Sequence, residues 1–410
     1  MIQTMQPELS NLRHLRALRE VAERRSISQA AERVFLSQPA ITQAIAKLER
    51  QLDTPLFERL SDGMRPTEAG SLFAHRVGHA LDLIRNGGQE AMKIGGERGS
   101  RRQAGIDQLV TTTQLRSLVA VANARNFSLA AKAVGTSQPA LHRAARDLEA
   151  LMDIRLFEKT GQGIELTRAA QVMVQHVKLA FAELAQGFAE IAALRGIDAG
   201  LIVVGSMPLA RHNILPAAIN MLSRQLPEVR VSVVDAPYNE LLHGLRHGEM
   251  DLLIGALRDP VPVDDVLQEA LFDDPLAIVG RNGHPLVKKK RITADDLATY
   301  PWVLPQRGTP TRDHFETLMS GHLPAGGLVE SSSIVLVCGL LLDSDRLTLI
   351  SRHQILREQA QGLLTILSYD MTGTRRPIGL TTRRNWRPTA TQSRFLDLVR
   401  EAAKEVQVAE

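Results

Sequence analysis

Cysteine occurs once in 410 residues, as Cys338, within the apolar run Ile334–Leu342. A lone cysteine excludes a disulfide scaffold and a multi-thiolate metal centre, and there it reads as a small core residue. Aromatic residues make up only 4% of the chain while alanine and leucine abound. The cores are therefore expected to be aliphatic and largely helical. No apolar run reaches the roughly 18 residues a membrane span requires, and Met1–Arg16 has no apolar stretch of signal-peptide length. These absences predict a cytoplasmic protein that does not enter a membrane. Also missing are a nucleophile–base pair, a metal ligand set and a glycine loop for phosphate, so no enzyme, cofactor or metal is expected. His75 and His79 are four apart on a predicted helix, but no carboxylate or cysteine completes a metal set.

What is present is ordinary for a folded protein: 44% apolar and 23% charged residues. The length suits two to four domains. The formal charge of +4 fits a polyanionic partner without establishing one.

The informative feature is a repeat at a spacing of one hundred. Ser37–Ala40 recurs as Ser137–Ala140, and Leu56–Glu58 as Leu156–Glu158. About two dozen of the 55 positions from Leu15 to Ala69 are identical one hundred residues on, with no gap. This is a duplicated module. In copy one, Leu15, Leu18, Val21 and Ala22 share a helical face, and a second helix starts at a Ser28 cap. Ser37 caps a third helix whose Pro39 sits in the first turn, where a missing N–H costs nothing. Ile41, Ile45, Leu48 and Leu52 then form an apolar stripe. Leu56–Thr67 reads as a hairpin turning at Asp62-Gly63, and Thr67 can cap a further helix.

Two short helices joined by a tight turn, the second with a polar capped start, describe a helix-turn-helix. The second helix enters the major groove by its N-terminus, so its early outward residues meet base edges. In copy one these are Ser37, Gln38, Pro39, Thr42, Gln43 and Lys47; in copy two, Ser137, Gln138, Pro139, His142, Arg143 and Arg146. Glutamine pairs bidentately with adenine, and threonine can bond a base or touch a thymine methyl. Arg59, Arg65, Lys159 and Arg168 lie in or beside the hairpins and suit phosphate contacts. The bland alternative is a pair of amphipathic bundles used for protein contacts.

These residues resemble the winged helix-turn-helix of LysR-type transcriptional regulators. The matching stretches are Ser28 through Glu49, Pro55 through Arg59 and Thr67 through Gly70. The resemblance continues to about Val399 and implies a DNA-binding regulator of promoters, with RNA polymerase a candidate partner. The duplication departs from the family pattern of one head. Thr54 and Ile154 stand where a glycine often follows the recognition helix, and copy two ends its wing with Ala170 rather than glycine.

The predicted fold is multidomain: two all-α winged helix-turn-helix domains and a two-lobed α/β effector domain. The expected boundaries are 8–70 for the first head, 71–110 for a linker helix and tether, and 111–170 for the second head. A linker helix follows at 171–196, then an effector domain at 200–403, with lobe I at 200–273 and 372–403 and lobe II at 275–367. The first linker helix, Ser71–Arg85, is expected to dissolve at Gly87-Gly88, ahead of a flexible basic tether at Gly95–Gly105. On the second, Met173, Val177, Ala180, Leu184, Gly187, Ile191 and Leu194 form a heptad seam. The resemblance assigns that seam to pairing of protomers, giving a homodimer or homotetramer through linker helices and effector domains.

From Leu201 strands and helices alternate, implying a parallel sheet with helices on its faces. Ile214–Pro216, Leu226–Val229, Gly248–Ile254, Gly283–Leu286 and Asp296–Trp302 are similar to the family's periplasmic-binding-protein-like domain. The resemblance implies two lobes hinged near Asp273–Ala277 and Leu367–Thr374, with a small-molecule effector between them. Strand ends and helix starts nominate Ser206, Met207, Pro208, Arg307, Gly308, Thr309 and Ser332. Arg307 and Arg211 hint at an acidic effector. A ligand-independent scaffold, with one head on a protein partner, is the competing reading.

Overall fold

The computed structural model describes residues 11–61, 63–96, 105–161, 163–197 and 200–408, in two compact units. The first holds both repeat copies. Copy one contains α1 (Leu12–Arg24), α2 (Ile27–Val34), α3 (Gln38–Leu52), the hairpin β1 (Phe57–Leu60) and β2 (Gly63–Pro66), and the long helix α4 (Glu68–Gly95). A one-turn helix, α5 (Ile106–Leu109), leads into copy two: α6 (Thr112–Ala124), α7 (Phe127–Ala133), α8 (Gln138–Met152), β3 (Phe157–Thr160), β4 (Gly163–Leu166) and α9 (Arg168–Leu194).

Identical devices fold both copies. Ser37 and Ser137 cap the third helix through the amides of Ala40 and Ala140. Asp53 and Asp153 end it in left-handed backbone. The carboxylate of Glu49 accepts from the amides of Leu56 and Phe57, as Glu149 does from Leu156 and Phe157. Each wing is pinned to the first helix: Met64 N–H donates to the Arg25 carbonyl, and Ile164 N–H to that of Arg125. Gly63 and Gly163 allow this approach, since a Cβ would lie 2.4 and 2.9 Å from those carbonyl oxygens, at φ values of 142° and 136°. The second helix of copy one is capped by Ser26, with Ser28 bonded to the cap at 3.0 Å, so the start lies two residues earlier than the sequence suggests.

Two expectations for the linkers give way. Gly87 and Gly88 do not break the first linker helix, which runs on to Gly95. They are points of close approach: a Cβ on Gly87 would lie 2.4 Å from His176 Cβ, and one on Gly88 would lie 2.5 Å from Ile106. The heptad seam of α9 is also filled within the chain. Met173, Val177, Ala180, Leu184 and Ile191 belong to one apolar core with Phe73, Val77, Ala80, Leu81 and Ile84 of α4. Seven-residue spacing states that a face is covered, not by which chain. Most of the expected tether, residues 97–104, falls outside the described residues.

The two long helices run antiparallel. As positions rise along α4 from Phe73 to Gly95, their partners on α9 fall from Phe188 to Ala169. The pairing is reciprocal between copies: position 76 meets 187, and 87 meets 176. Gly95 approaches Ile154, while Arg195 bonds the Leu52 carbonyl and Asp53. The equivalent residues Leu12 and Thr112 bond each other at 3.2 Å. The copies are thus related by an internal two-fold.

The second unit is the α/β domain. Its first half comprises β5 (Leu201–Ser206), α10 (Ile214–Gln225), β6 (Arg230–Asp235), α11 (Tyr238–Arg246), β7 (Leu252–Ala256) and β8 (Val266–Asp274). The chain then crosses to β9 (Leu276–Arg281), α12 (Ala294–Ala298), β10 (Trp302–Leu304), α13 (Pro310–Leu318), β11 (Val329–Glu330), α14 (Ile334–Leu342), β12 (Leu347–Ser351), α15 (Leu356–Ala360) and β13 (Leu364–Ile366). It returns through β14 (Arg376–Arg383) and α16 (Ala390–Val408). One sheet has the order β6-β5-β7-β14-β8 and the other β11-β10-β12-β9-β13. Strands β5, β6 and β7 are parallel and β14 is antiparallel, as the strand–helix alternation requires. Helices α10 and α16 bury one face of the first sheet, and α11 covers the other.

Candidate nucleic-acid interface and effector cleft

The polar leading edge of each third helix is held open. On α3, Gln38, Pro39, Gln43 and Lys47 are exposed. Thr42 is half-buried, its hydroxyl donating back to the Gln38 carbonyl at 3.1 Å. Burial and the Lys47 ammonium hold the nearby His14 imidazole below its usual range. On α8, Gln138, Pro139, His142 and Arg143 are exposed. The Ser128 hydroxyl donates to the Gln138 amide oxygen at 2.8 Å, which leaves the amide N–H groups to donate outward. The His142 ring lies 4.9 Å from that of Phe127. Arg146 pairs with Glu149 at 2.6 Å, so its charge is partly neutralised on its own helix.

The wings carry Arg59, Arg65 and Lys159 at exposed positions, and exposed Arg168 opens α9. Two acidic residues also lie on these faces, Asp147 and Glu165, and no motif marks them in the sequence. They stand where copy one has Lys47 and Arg65, so aligning the copies for difference rather than identity reveals them. Their charge is placed by the hairpin register. Glu58 lies opposite Arg65, whereas Glu158 lies opposite Glu165.

Between the copies sits a buried ionic cluster. Arg76, 4% exposed, donates at 2.9 Å to Glu183 and Gln186 and makes two bonds to Glu190. His79 lies 3.3 Å from Glu183, so its neighbour is a carboxylate rather than open surface. No group of three metal-binding side chains occurs among the described residues. Burial alone would raise the Glu183 carboxyl, but the adjoining His79 and the hydrogen bond and charge of Arg76 bring it below its usual range.

In the α/β domain, Ser206 ends β5 fully buried, and Met207 packs its side chain over Gly255. Pro208 opens a tight helical turn. Across the domain, Thr309 caps α13, Gly308 takes a left-handed conformation, and Ser332 is exposed before α14, whose cap is Ser333. Arg211 pairs with Asp235, whereas Arg307 stays open, its side chain 80% exposed and 3.8 Å from Glu316. Buried charge also lies at the crossovers. Asp274, with no exposure, accepts from the Ser351 hydroxyl at 2.6 Å, from His353 at 2.7 Å and from Arg376 at 3.4 Å. Arg376 also reaches Thr311 of the second lobe at 3.0 Å, and Asn213 of the first donates to the His353 carbonyl at 2.8 Å. Burial lowers the Arg376 guanidinium against the opposing pull of Asp274. These residues come from separate segments, and no sequence spacing links them. Cys338 is half-buried, its thiol pushed up to about 11, first by burial and then by the Glu358 charge.

Comparison with known proteins places these elements. The LysR substrate binding domain model matches residues 195–404. The model for bacterial regulatory helix-turn-helix proteins of the lysR family matches twice, at 12–71 and 112–171. The HTH-type transcriptional regulator GalR of Pseudomonas putida is 34% identical over 385 residues, covering 92% of this chain and 93% of that protein, so the match takes in both heads. The HTH-type transcriptional regulator PcaQ of Agrobacterium fabrum is 28% identical over 305 residues; these are 97% of that protein but 73% of this chain. Among solved structures, a full-length single-residue variant of OxyR from Pseudomonas aeruginosa aligns with a TM-score of 0.52 at 23% identity, over 71% of this chain and 94% of that one.

Proposed function

The chain belongs to the LysR family of transcriptional regulators, DNA-binding proteins with an effector-binding domain, and from that premise we propose how its parts divide the work. The first head reads DNA through Gln38, Gln43 and Lys47, and the second through Gln138, His142 and Arg143. Arg59, Arg65, Lys159 and Arg168 hold the phosphates. One observation carries this reading. In both copies the third helix is capped at a serine, buried along its apolar stripe, and left exposed along its polar leading edge.

The effector enters between the lobes, near Ser206–Pro208 and Arg307–Thr309, with Ser332 at the start of α14. Support comes from their places at strand ends and helix caps, beside the bridge from Arg376 to Thr311. An effector that binds one lobe arrangement better shifts the population toward it, and only that difference in affinity can transmit a signal. The protein acts in the cytoplasm, as a regulator and not as an enzyme.

Because the α9 seam is covered in cis, assembly into multimers falls to the effector domains. Helix α14 supports this, with Val335 80%, Leu336 47% and Leu342 40% exposed on one element. Gel-shift titration of the full chain on the upstream region of its own operon tests the reading. Substituting Gln38 and Gln138 together should abolish sequence preference; unchanged preference would refute the assignment.

A further inference from the structure

We propose that one chain reads a composite DNA site of two unlike half-sites, its two heads acting as a built-in pair that needs no second chain. The inference rests on the reading that the heads bind DNA, and adds what kind of site they fit.

The first observation is the reciprocal contact between copies. Position 76 meets 187 and position 87 meets 176, and each long helix ends against the third helix of the other copy. A two-fold pair of heads is what a homodimer would need two chains to build. Here one core runs through both copies.

The second observation is that the pairing distinguishes partners. Arg76 faces Glu183, Gln186 and Glu190. By the internal two-fold, position 176 faces 83, 86 and 90, and these hold His176, Leu83, Asn86 and Glu90. Pairing α9 with another α9 would set His176 against Glu183 and leave that buried carboxylate without its arginine. Pairing α4 with another α4 would set Arg76 against Leu83, Asn86 and Glu90, keeping a carboxylate at position 90 but losing the one that Glu183 supplies. The first pairing leaves a buried carboxylate without its arginine, which is costly, and the second gives Arg76 one carboxylate in place of two, so both are disfavoured relative to α4 with α9.

The third observation is that the two reading faces differ in chemistry. Gln43 becomes Arg143, Lys47 becomes Asp147 and Arg65 becomes Glu165. A glutamine amide suits adenine, whereas an arginine fork suits the O6 and N7 acceptors of guanine. Asp147 repels phosphate and can accept from the cytosine amino group, which Lys47 cannot do. On the second wing Glu158 faces Glu165 across the hairpin, so that wing favours phosphate less than the first, where Arg65 faces Glu58. Equal half-sites would leave one of these faces mismatched.

The test is selection of a random-sequence duplex library by the full-length chain. The expected motif has two halves of different sequence. Arg143→Ala should erase preference in one half and Gln43→Ala in the other, each weakening binding to the selected duplex by ~5- to 150-fold. Both side chains are exposed, and helix content measured on each variant confirms that it is folded. An inverted repeat with equal halves, or two substitutions that erode the same half, would overturn the inference while leaving DNA reading intact. A library that enriches no sequence would remove the DNA-reading function, and this inference with it.

Discussion

Replacing Arg76 by leucine should separate the stability of the paired heads from that of the effector domain. Leucine removes the bonds to Glu183, Gln186 and Glu190 and leaves the Glu183 side chain, 9% exposed, with His79 at 3.3 Å. Removing one partner of a buried pair costs about 3–5 kcal/mol, a large part of the ~5–15 kcal/mol that holds a typical domain. Adding Glu183→Leu removes the orphaned charge. Glu190, whose side chain is 18% exposed, can then turn toward water. The double variant should recover to within about 1–2 kcal/mol of the parent, because apolar residues of similar volume commonly replace buried ion pairs without loss. The assay uses the position of the tryptophans. Both, Trp302 and Trp386, lie in the α/β domain, so their emission in urea tracks that domain while the far-ultraviolet helix signal also tracks the heads. Arg76→Leu should bring the helix transition to lower urea and leave the emission transition in place. An unmoved helix transition, or a double variant no more stable than the single, would refute the reasoning.

Three further outcomes follow from the same geometry. The Glu183 carboxyl is depressed in the folded chain, so its contribution is complete above its unfolded pKa and disappears as the pH falls through the lower folded value. Acid titration of the helix signal should therefore show a destabilising slope below about pH 4 that Glu183→Gln flattens; identical slopes would count against the cluster. Arg65→Ala should weaken binding about equally across sequences and reduce the salt dependence of affinity by about one counterion. A sequence-specific loss would instead mean that Arg65 reads bases. Val335→Asp, on the exposed face of α14, should lower the assembly state seen by sedimentation without changing helix content, and an unchanged sedimentation coefficient would place the interface elsewhere.

Much of this architecture is legible in the sequence because the devices that form the heads are local. The cap at Ser37, the proline beside it and the stripe from Ile41 to Leu52 act within about fifteen residues, and the repeat at one hundred shows each device twice. The strands of the effector domain read well where they are apolar throughout, as in Leu201–Val204. Strand β8 escapes notice because Gln268, Glu269, Asp273 and Asp274 interrupt it; it is stabilised by pairing along β14, about one hundred residues away. Gly87 and Gly88 read as helix breakers because propensity weighs only the helix they sit in. Their place is set by His176 and Ile106, which occupy the space a side chain would need. The crossover cluster of Asp274, Ser351, His353 and Arg376 is invisible for a stronger reason. Each residue is ordinary alone, and only the return of the chain brings them together.

The duplication changes what selection can do with the two reading faces. In a homodimer every substitution on a recognition helix appears twice, so the two half-sites must change together. Joining the heads in one chain makes their pairing intramolecular, so the pair survives dilution that would separate weakly associated chains. Each face is then free to drift alone. Among the positions that stay identical between copies are those that build a head: the capping serine at 37 and 137, the proline at 39 and 139, the carboxylate at 49 and 149 and the glycine at 63 and 163. Among those that diverge are 43, 47 and 65, which are exposed. Packing holds the first group fixed, since a change there unfolds a head whatever DNA it meets. If these faces read DNA as proposed, the DNA constrains the second, and two unlike half-sites would constrain it in two different ways.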